Sequence, residues 1–337
     1  MLASISRKLT KATFHLNNDR FTKVLKPESP RFIMLEPTVR CNLHCITCTR
    51  DSVIHTYKKT DLTTDDVDKI LSFFPKLESI KFQGLGEPLL TRNVEEILER
   101  FKERRVQLWT ISNGTILHKQ KYRDLFLKYF RDVTISFDST SSDLFKKLRV
   151  GATLEQVKKG VKLFIADRNQ KNKAVSVGIT FCVSHENIHE LDDLYCLALE
   201  LGVDYVVTQQ VENWTVQGEE SYEQFSAYAK EALKHREEIR RRLRQLKLRL
   251  LSRGILHGAK SPDSRLSRCA WPFKSLFINV EGYVTPCCIR MHRDHTFGNI
   301  LEAESLEEIW HGESYQELRL AHINKDSSNA LCGTCPY

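Results

Sequence analysis

Six short β-rich runs alternate with amphipathic stretches between residues 32 and 210, and this alternation limits the possible folds more than any other feature. A series of β/α units forms a parallel sheet with helices packed against it. The β-rich runs are Phe32–Leu35, Ser79–Phe82, Val106–Ile111, Val133–Phe137, Val175–Phe181 and Tyr205–Thr208. The amphipathic stretches are Thr64–Phe73, Asn93–Phe101, Tyr122–Tyr129, Leu154–Ile165 and Ile188–Leu201. Six units are fewer than the eight of a closed barrel. We therefore predict an α/β fold with a partial (β/α)6 TIM-like barrel, whose chemistry lies at the carboxyl ends of the strands.

The other segments divide the chain into predicted units. We expect an N-terminal helical extension at residues 1–31, the barrel at 32–220, a basic amphipathic helix at 221–257 and a small cysteine-rich domain at 258–337. The turn-rich segment Gly254–Pro262 marks the last boundary. In the last unit, Leu276–Val280 and Tyr283–Thr285 flank Glu281 and Gly282, which predicts a β-hairpin.

The ten cysteines of this 337-residue chain are clustered. No apolar run approaches the roughly 20 residues of a membrane-spanning helix, and the sequence shows no secretory signal. Clustered cysteines in such a chain favour metal or iron–sulfur ligation over disulfides. We therefore expect a cytoplasmic protein without a transmembrane anchor. The basic N-terminal residues fit a helix or a transit peptide.

The segment from Lys230 to Arg253 carries ten Lys or Arg and three Glu, in a chain of net charge +8. Leucines recur in it at helical spacing, which predicts an amphipathic helix with a basic outer face. That face is either solvated or a docking face for an acidic peptide, a nucleotide-linked substrate or an anionic lipid. No nucleic-acid-binding signature is present, so we expect no specific nucleic-acid partner.

The first cysteine cluster follows the first strand directly. Cys41, Cys45 and Cys48 have C-x3-C-x2-C spacing, and three thiolates on a four-iron cube leave one iron without a protein ligand. An open metal position is typical of a catalytic site. The alternative is a zinc site with His44 or His55 as the fourth ligand.

This pattern resembles the signature of the radical S-adenosylmethionine (radical SAM) superfamily, and the resemblance extends to about residue 210. Its other elements are Gly84-Leu85-Gly86-Glu87-Pro88, Ser112-Asn113-Gly114, Ser136-Phe137-Asp138 and Arg149, each of which follows or ends a predicted strand or lies shortly after one. The resemblance implies that Gly86 and Glu87 lie where the methionine amino group is held. It also implies that Ser136 and Arg149 contact the methionine carboxylate, and that Asn113 and Asp138 belong to the same cofactor site. An arginine fork suits a carboxylate.

One position departs from the family pattern. The residue before the third cysteine is usually aromatic and packs on adenine, whereas here it is Thr47. We expect the adenine to be held by backbone groups and by apolar side chains around Val183 or Val211.

The resemblance also implies the chemistry and its partners. A 4Fe–4S cluster cleaves S-adenosylmethionine reductively, and the resulting 5′-deoxyadenosyl radical removes hydrogen from substrate. The electron comes from a flavodoxin- or ferredoxin-type donor. In such systems the cofactors carry the hard chemistry and the protein orients substrate.

A second cysteine cluster lies in the C-terminal region. Cys269, Cys287, Cys332 and Cys335 suffice to ligate every iron of an auxiliary 4Fe–4S cluster, although four cysteines would also satisfy a structural zinc. Their spacing resembles the SPASM region in its shortened "twitch" form, and is similar to that of 2-deoxy-scyllo-inosamine dehydrogenase. Cys288 is left over as a packed thiol, an alternative ligand or a hydrogen-atom donor. We interpret Cys182 and Cys196 as core thiols.

Three functions fit this sequence. The first is net oxidation of a small molecule or sugar, with the auxiliary cluster as electron acceptor. The second is epimerisation or cross-linking of a ribosomal peptide, and the third is a non-catalytic iron–sulfur module, in which Glu87, Ser136 and Arg149 would have no purpose. Gln209 and Glu212 are the candidate catalytic pocket residues, and further pocket candidates are Gln210, Arg290 and His292.

Overall fold

The computed structural model describes residues 24–211, 228, 230–232, 234–260, 269–290, 295–326, 328–329 and 331–332. The strands are β1 (Phe32–Leu35), β2 (His44–Cys45), β3 (Ser79–Phe82), β4 (Gln107–Ser112), β5 (Phe130–Ser136), β6 (Arg149–Val150), β7 (Ser176–Val183), β8 (Tyr205–Gln210), β9 (Leu256–Lys260), β10 (Phe277–Ile278) and β11 (Val284–Thr285). The α-helices are α1 (Arg50–Val53), α2 (Thr64–Ser72), α3 (Val94–Glu103), α4 (Gln120–Tyr129), α5 (Ser142–Leu148), α6 (Leu154–Gln170), α7 (Leu191–Leu201), α8 (Arg236–Leu251), α9 (Trp271–Lys274), α10 (Leu306–Trp310) and α11 (Glu313–Asn324).

The large sheet has nine strands in the order β11-β10-β1-β3-β4-β5-β7-β8-β9. All neighbouring pairs are parallel except β10 with β11. The six predicted strands form its centre in chain order, which confirms the α/β architecture. Since the strands are parallel, the loops that follow them lie at one edge of the sheet.

Helices cover one face of the sheet because one face of each strand is apolar. Phe82 of β3 packs edge-on against Phe101 of α3, with ring centroids 5.7 Å apart. Phe126 of α4 makes similar contacts with Phe130 and Phe164. Helix α2 starts with a capping box in which the Thr63 hydroxyl and the Asp66 carboxylate each bind the other residue's backbone N–H.

The prediction of a turn-rich segment at Gly254–Pro262 is wrong for most of its length. Leu256–Lys260 forms strand β9, which pairs in parallel with β8 from Tyr205 to Gln209. Its sequence contains a glycine and no β-branched residue, so propensity gives no strand signal, and the tertiary pairing with β8 decides the conformation. Of the predicted N-terminal extension, residues 1–23 lie outside the described residues.

The C-terminal region joins the barrel through the sheet and through one buried arginine. Strand β10 pairs with β1, so that Met34 lies opposite Phe277 and Leu35 opposite Ile278. Arg319 of α11 is fully buried, and its guanidinium donates to the carbonyls of Leu25, Pro272 and Trp310 at 2.6–2.8 Å. None of the helices that the structure describes is long and apolar enough to cross a membrane.

The face of the sheet opposite the helices carries polar residues, and we call it the inner face. Tyr205 of β8 lies across β7, and its hydroxyl is 2.6 Å from both Asp132 and Thr134 of β5. The ring passes over Gly178, where an added Cβ would lie 2.1 Å from it. A glycine is therefore required at this position of β7.

We expect Gly178→Ala to lower the free energy of unfolding by about 1–3 kcal/mol, because the methyl group would overpack the Tyr205 ring. The same substitution in a Tyr205→Ala background should cost much less, because the ring that it meets is gone. Urea denaturation of the four proteins of this double-mutant cycle measures the difference. An equal cost in both backgrounds would contradict the packing described.

Candidate functional site

The loop with the first three cysteines is fixed to the segment that contains Arg149. Strands β2 and β6 pair antiparallel, with Cys45 opposite Arg149 and His44 opposite Val150. The Ile46 N–H also donates to the Leu148 carbonyl at 3.1 Å. This pairing brings Arg149, more than 100 residues further along the chain, next to the cysteine loop.

The loop after β3, Gly84–Pro88, is called the glycine loop, and the loop that contains Cys41, Cys45 and Cys48 is called the cysteine loop. The glycine loop packs directly against the start of the cysteine loop. The N–H of Gly86 donates to the carbonyl of Thr38 at 3.1 Å, and the N–H of Glu87 donates to that of Arg40 at 2.9 Å. A Cβ at Gly86 would lie 2.4 Å from the Thr38 oxygen. Only glycine permits this approach of the two backbones.

Glu87 is buried and holds the glycine loop to the end of β4. Its carboxylate accepts from the Ser112 hydroxyl at 2.8 Å and from the Asn113 N–H at 2.7 Å. Burial raises the pKa of Glu87 to about 7, although both hydrogen bonds and the Arg149 charge favour the ionised form. The carboxylate retains lone pairs for another donor.

Asn113 connects the loop after β4 to the cysteine loop. Its amide Nδ2 is 2.9 Å from Asn42 Oδ1 and 3.8 Å from Cys41 Sγ. Asn42 in turn donates to the Thr115 hydroxyl at 2.9 Å. Asn42 and Thr115 carried no sequence signal, because their roles depend on a contact between two loops.

Asp138 and Arg149 form a buried ion pair, with Asp138 Oδ2 2.6 Å from Arg149 Nη1. Asp138 also accepts from the Cys182 N–H at 2.9 Å, and its backbone has a left-handed φ of 61°. Ser136 ends β5 two residues earlier and is partly exposed. Asp138 and Arg149 therefore meet beside the cysteine loop, and Ser136 ends the strand that leads to Asp138.

The residues at this point fit the cofactor that the resemblance implies. Arg149 is 5% exposed, yet its Nε has no hydrogen-bond acceptor in the part of the protein described. A buried donor without an acceptor costs free energy, which a bound carboxylate would recover. Burial also raises the pKa of the Cys48 thiol to about 12, so the thiolate form needs a bound metal to stabilise it.

Glu36 is a site residue that the sequence did not reveal. It is fully buried at the end of β1, and its carboxylate accepts from the Leu85 N–H at 2.8 Å and the Val280 N–H at 3.2 Å. Its side chain fills the space beside Gly84, where a Cβ would lie 2.2 Å from Glu36 Cγ. Burial raises the pKa of Glu36 to about 7. Glu36 thus joins the glycine loop to the C-terminal hairpin.

Only one of the predicted pocket residues lies on the inner face among the described positions. Gln209 pairs with Cys182, and their side-chain atoms Nε2 and Sγ are 4.0 Å apart. Gln210 alternates to the opposite face, where its buried Nε2 has no partner in the structure as described. Arg290 is buried and donates to the Leu331 carbonyl at 2.7 Å, so it supports the C-terminal region. Glu212 and His292 lie outside the described residues.

The residues named for adenine differ in exposure. Thr47 is partly exposed, and its neighbour Ile46 is 38% exposed. Val183 and Val211 are buried. Val211 packs with Ala232, and the pair contacts Cys182 and Tyr228.

Part of the second cysteine cluster lies within the described residues. Burial raises the pKa of Cys287 well above its ordinary value, and the nearby Cys288 and Cys332 thiols add to the effect. The Asn329 side chain accepts from the Cys332 N–H at 2.9 Å and holds that turn. Cys269 is partly buried, and Cys335 lies outside the described residues. Cys196 is exposed, so its interpretation as a core thiol is wrong.

The histidines of the zinc alternative are engaged elsewhere or exposed. His44 Nδ1 is 2.8 Å from Asp51 Oδ2, and the His44 side chain is 67% exposed. His55 is exposed. Within the described ranges, no three His, Cys, Asp or Glu side chains are arranged to hold a single metal ion.

Comparison with known families agrees with this geometry. Residues 35–198 match the radical SAM superfamily, and residues 269–336 match SPASM, an iron–sulfur cluster-binding domain. The chain therefore contains a radical SAM domain and a C-terminal SPASM domain. The first match implies a 4Fe–4S cluster and S-adenosylmethionine, and the second implies auxiliary iron–sulfur ligation.

Three relatives illustrate the range of the family. A probable GTP 3′,8-cyclase of Methanococcus maripaludis is 32% identical over 155 residues, which are 44% of this chain and 47% of the cyclase. A tungsten-containing aldehyde ferredoxin oxidoreductase cofactor-modifying protein of Pyrococcus furiosus is 29% identical over 188 residues, 54% of this chain and 51% of that protein. The matches thus span about half the length of both relatives. An AdoMet-dependent heme synthase of Methanosarcina barkeri is 24% identical over 328 residues, 92% of this chain and 89% of the synthase.

Solved structures share the fold. Streptococcus suis SuiB bound to the precursor peptide SuiA has a TM-score of 0.71 at 16% identity, over 89% of this chain and 69% of SuiB. The anSMEcpe structure with bound AdoMet has a TM-score of 0.68 at 16% identity, over 88% of this chain and 84% of the other. Both likenesses extend over most of this chain and support the architecture described above.

We expect Arg149→Ala to weaken S-adenosylmethionine binding roughly tenfold to a hundredfold, because a charge-assisted contact contributes about 1.5–3 kcal/mol. Ser136→Ala should act in the same direction with a smaller effect. Equilibrium binding to anaerobically reconstituted protein measures both. Arg123→Ala is the matched control, because Arg123 forms a buried ion pair with Asp167 in a different part of the barrel. Wild-type affinity in both site variants would show that the carboxylate site lies elsewhere.

Proposed function

We propose that this chain is a radical SAM oxidoreductase that removes two electrons from its substrate. The observation that carries the proposal is the β2–β6 pairing, which places Arg149 beside Cys45 at the edge where Glu87 and Asn113 also lie. When bound, the cluster and S-adenosylmethionine supply a 5′-deoxyadenosyl radical that removes a hydrogen atom from substrate. A flavodoxin- or ferredoxin-type protein would supply the reducing electron.

The residues of the barrel would hold and orient these groups. Cys41, Cys45 and Cys48 would bind three irons of the first cluster. The unpartnered Nε of Arg149 and the Ser136 hydroxyl would bind the methionine carboxylate, and Asp138 would orient the Arg149 guanidinium. Gln209 would contact substrate from the end of β8.

The C-terminal region would receive the second electron. Loss of a hydrogen atom leaves an unpaired electron on substrate, and forming a carbonyl or a new bond requires that electron and a proton to leave. Cys269, Cys287, Cys332 and Cys335 would ligate all four irons of an auxiliary cluster. A short path for the electron from substrate to the auxiliary cluster is supported by Glu36. Its carboxylate contacts both the glycine loop and the hairpin that leads to Cys287.

Peptide maturation is the second candidate, and its substrate differs from the small molecule or sugar that we expected from the sequence. Two solved structures of similar fold contain a bound peptide, SuiB with SuiA and anSMEcpe with Cp18Cys. The oxidation chemistry would be the same for a cross-link in a peptide. The basic outer surface of α8 supports a polypeptide substrate over a small molecule.

We expect anaerobically reconstituted protein to contain about eight irons, in two 4Fe–4S clusters. Replacing Cys41, Cys45 and Cys48 together by Ala should leave about four, because only the auxiliary ligands remain. Iron and acid-labile sulfide analysis provides the measurement. Cys196→Ala is the control and should leave the iron content unchanged, since Cys196 is exposed on α7. A triple variant that keeps all its iron would refute the assignment of the first cluster.

We also expect one 5′-deoxyadenosine per oxidised product. Replacing Cys332 and Cys335 should abolish product and leave part of the S-adenosylmethionine cleavage, because hydrogen abstraction precedes the loss of the second electron. Cys288→Ala should have little effect. Liquid chromatography with mass spectrometry, in deuterated solvent, follows both products. If Cys288→Ala alone stops turnover and solvent deuterium enters the wild-type product, the enzyme is an epimerase.

A further inference from the structure

Helix α8 has an apolar face towards the core and a different stripe on its outer side. Ile239, Leu246 and Leu250 are buried. Arg241, Arg244, Leu248 and Leu251 are exposed and follow one another at spacings of three and four residues. This spacing places them along one line of the helix, as at the a and d positions of packed helices. We call these four residues, with the adjacent Lys247, the α8 stripe.

The two leucines of the α8 stripe are unusually exposed for their size. Leu248 is 70% exposed and Leu251 is 45% exposed. A single exposed leucine needs no explanation, but two at helical spacing form an apolar contact point next to a charged one.

The positive charges of the α8 stripe have no counter-ions among the residues that the structure describes. Three other arginines of the helix are paired: Arg240 with Glu237, Arg242 with Glu238, and Arg249 with Asp192. Arg241, Arg244 and Lys247 make no ion pair with any described residue. They stand at i, i+3 spacing, where like charges destabilise a helix by a few tenths of a kcal/mol per pair. Carboxylates of a partner would remove this repulsion.

We propose that the α8 stripe docks an acidic amphipathic segment of a polypeptide substrate. Carboxylates of the segment would face Arg241, Arg244 and Lys247, and apolar side chains would cover Leu248 and Leu251. Such a segment fits as a helix laid against a helix, in which anchors recur every three to four residues. The assignment to substrate rests on the proposed function.

The charge pattern disfavours the other occupants. In a symmetric dimer, a parallel second copy would oppose arginines to arginines, and an antiparallel copy would set arginines against leucines. A membrane surface is disfavoured because the larger apolar face, with Ile239, Leu246 and Leu250, is turned to the core, whereas interfacial helices bury that face in lipid.

The location of α8 favours a substrate, rather than an electron-donor protein, as the occupant of the α8 stripe. The helix packs on α7, β8 and β9, at the opposite end of the sheet order from β1 and the cysteine loop. Strand β9 continues from α8 and ends at Lys260, opposite Gln209 of β8. A polypeptide held on α8 is therefore anchored beside the strand that leads to the proposed pocket.

The test measures binding of a fluorescein-labelled peptide of about 20 residues to full-length, reconstituted protein by fluorescence anisotropy. The probe is an amphipathic helical peptide. Along one face it carries Glu in one half of its length and Leu in the other half. We expect Arg241→Glu with Arg244→Glu to weaken binding at least tenfold. The matched control, Lys119→Glu with Lys146→Glu, makes the same charge change at exposed lysines that form no ion pair with any described residue. It should change binding less than twofold.

Two further measurements complete the test. Leu248→Ser should weaken binding without altering its dependence on salt concentration, because it removes an apolar contact only. Equal binding to the stripe and control variants, including no binding to either, overturns the proposal. So does stripe-dependent binding of vesicles of phosphatidylcholine and phosphatidylglycerol without peptide binding, or stripe-dependent dimerisation in analytical ultracentrifugation. Cleavage of S-adenosylmethionine is assayed separately without peptide. Its absence in the wild type would contradict the proposed function and leave the docking result unaffected.

Discussion

The candidate site depends on one buried carboxylate, that of Glu36 at the end of β1. Its two oxygens accept backbone N–H groups from Leu85 in the glycine loop and from Val280 in the C-terminal hairpin. A fully buried carboxylate is tolerated only when such donors satisfy it. Because neither loop can move without breaking one of these bonds, the SPASM domain and the glycine loop keep a fixed relation. A proposed electron path between substrate and auxiliary cluster requires such a relation.

The parallel sheet explains why residues far apart in sequence share the site. Apart from Arg149, which starts β6, each motif follows or ends a strand of the large sheet, and parallel strands present these positions at one edge. Three cross-contacts then refine the arrangement: β2 with β6, Glu87 with Asn113, and Asp138 with Arg149. The fold supplies proximity, and the polar contacts supply orientation.

Much of this arrangement follows from sequence, because it depends on local patterns. Strands β1 and β3 have the predicted bounds, and the motifs occur in the order that the resemblance implies. Contacts between distant segments could not be predicted. Glu36 has no motif, Asn42 acts through contacts with Asn113 and Thr115 on another loop, and β9 contains no strand-forming sequence. Tyr205 over Gly178 requires knowledge of which strands are neighbours. Gln210 and Gln209 show that one residue of register decides which face a side chain occupies.

The central claim is that the cysteine loop and the residues fixed to it support reductive cleavage of S-adenosylmethionine. The most direct measurement is the formation of 5′-deoxyadenosine after anaerobic addition of dithionite and S-adenosylmethionine. We expect the wild type to form it, Cys45→Ala to form none, and Cys196→Ala to match the wild type. Formation of 5′-deoxyadenosine by Cys45→Ala at the wild-type rate would contradict the claim.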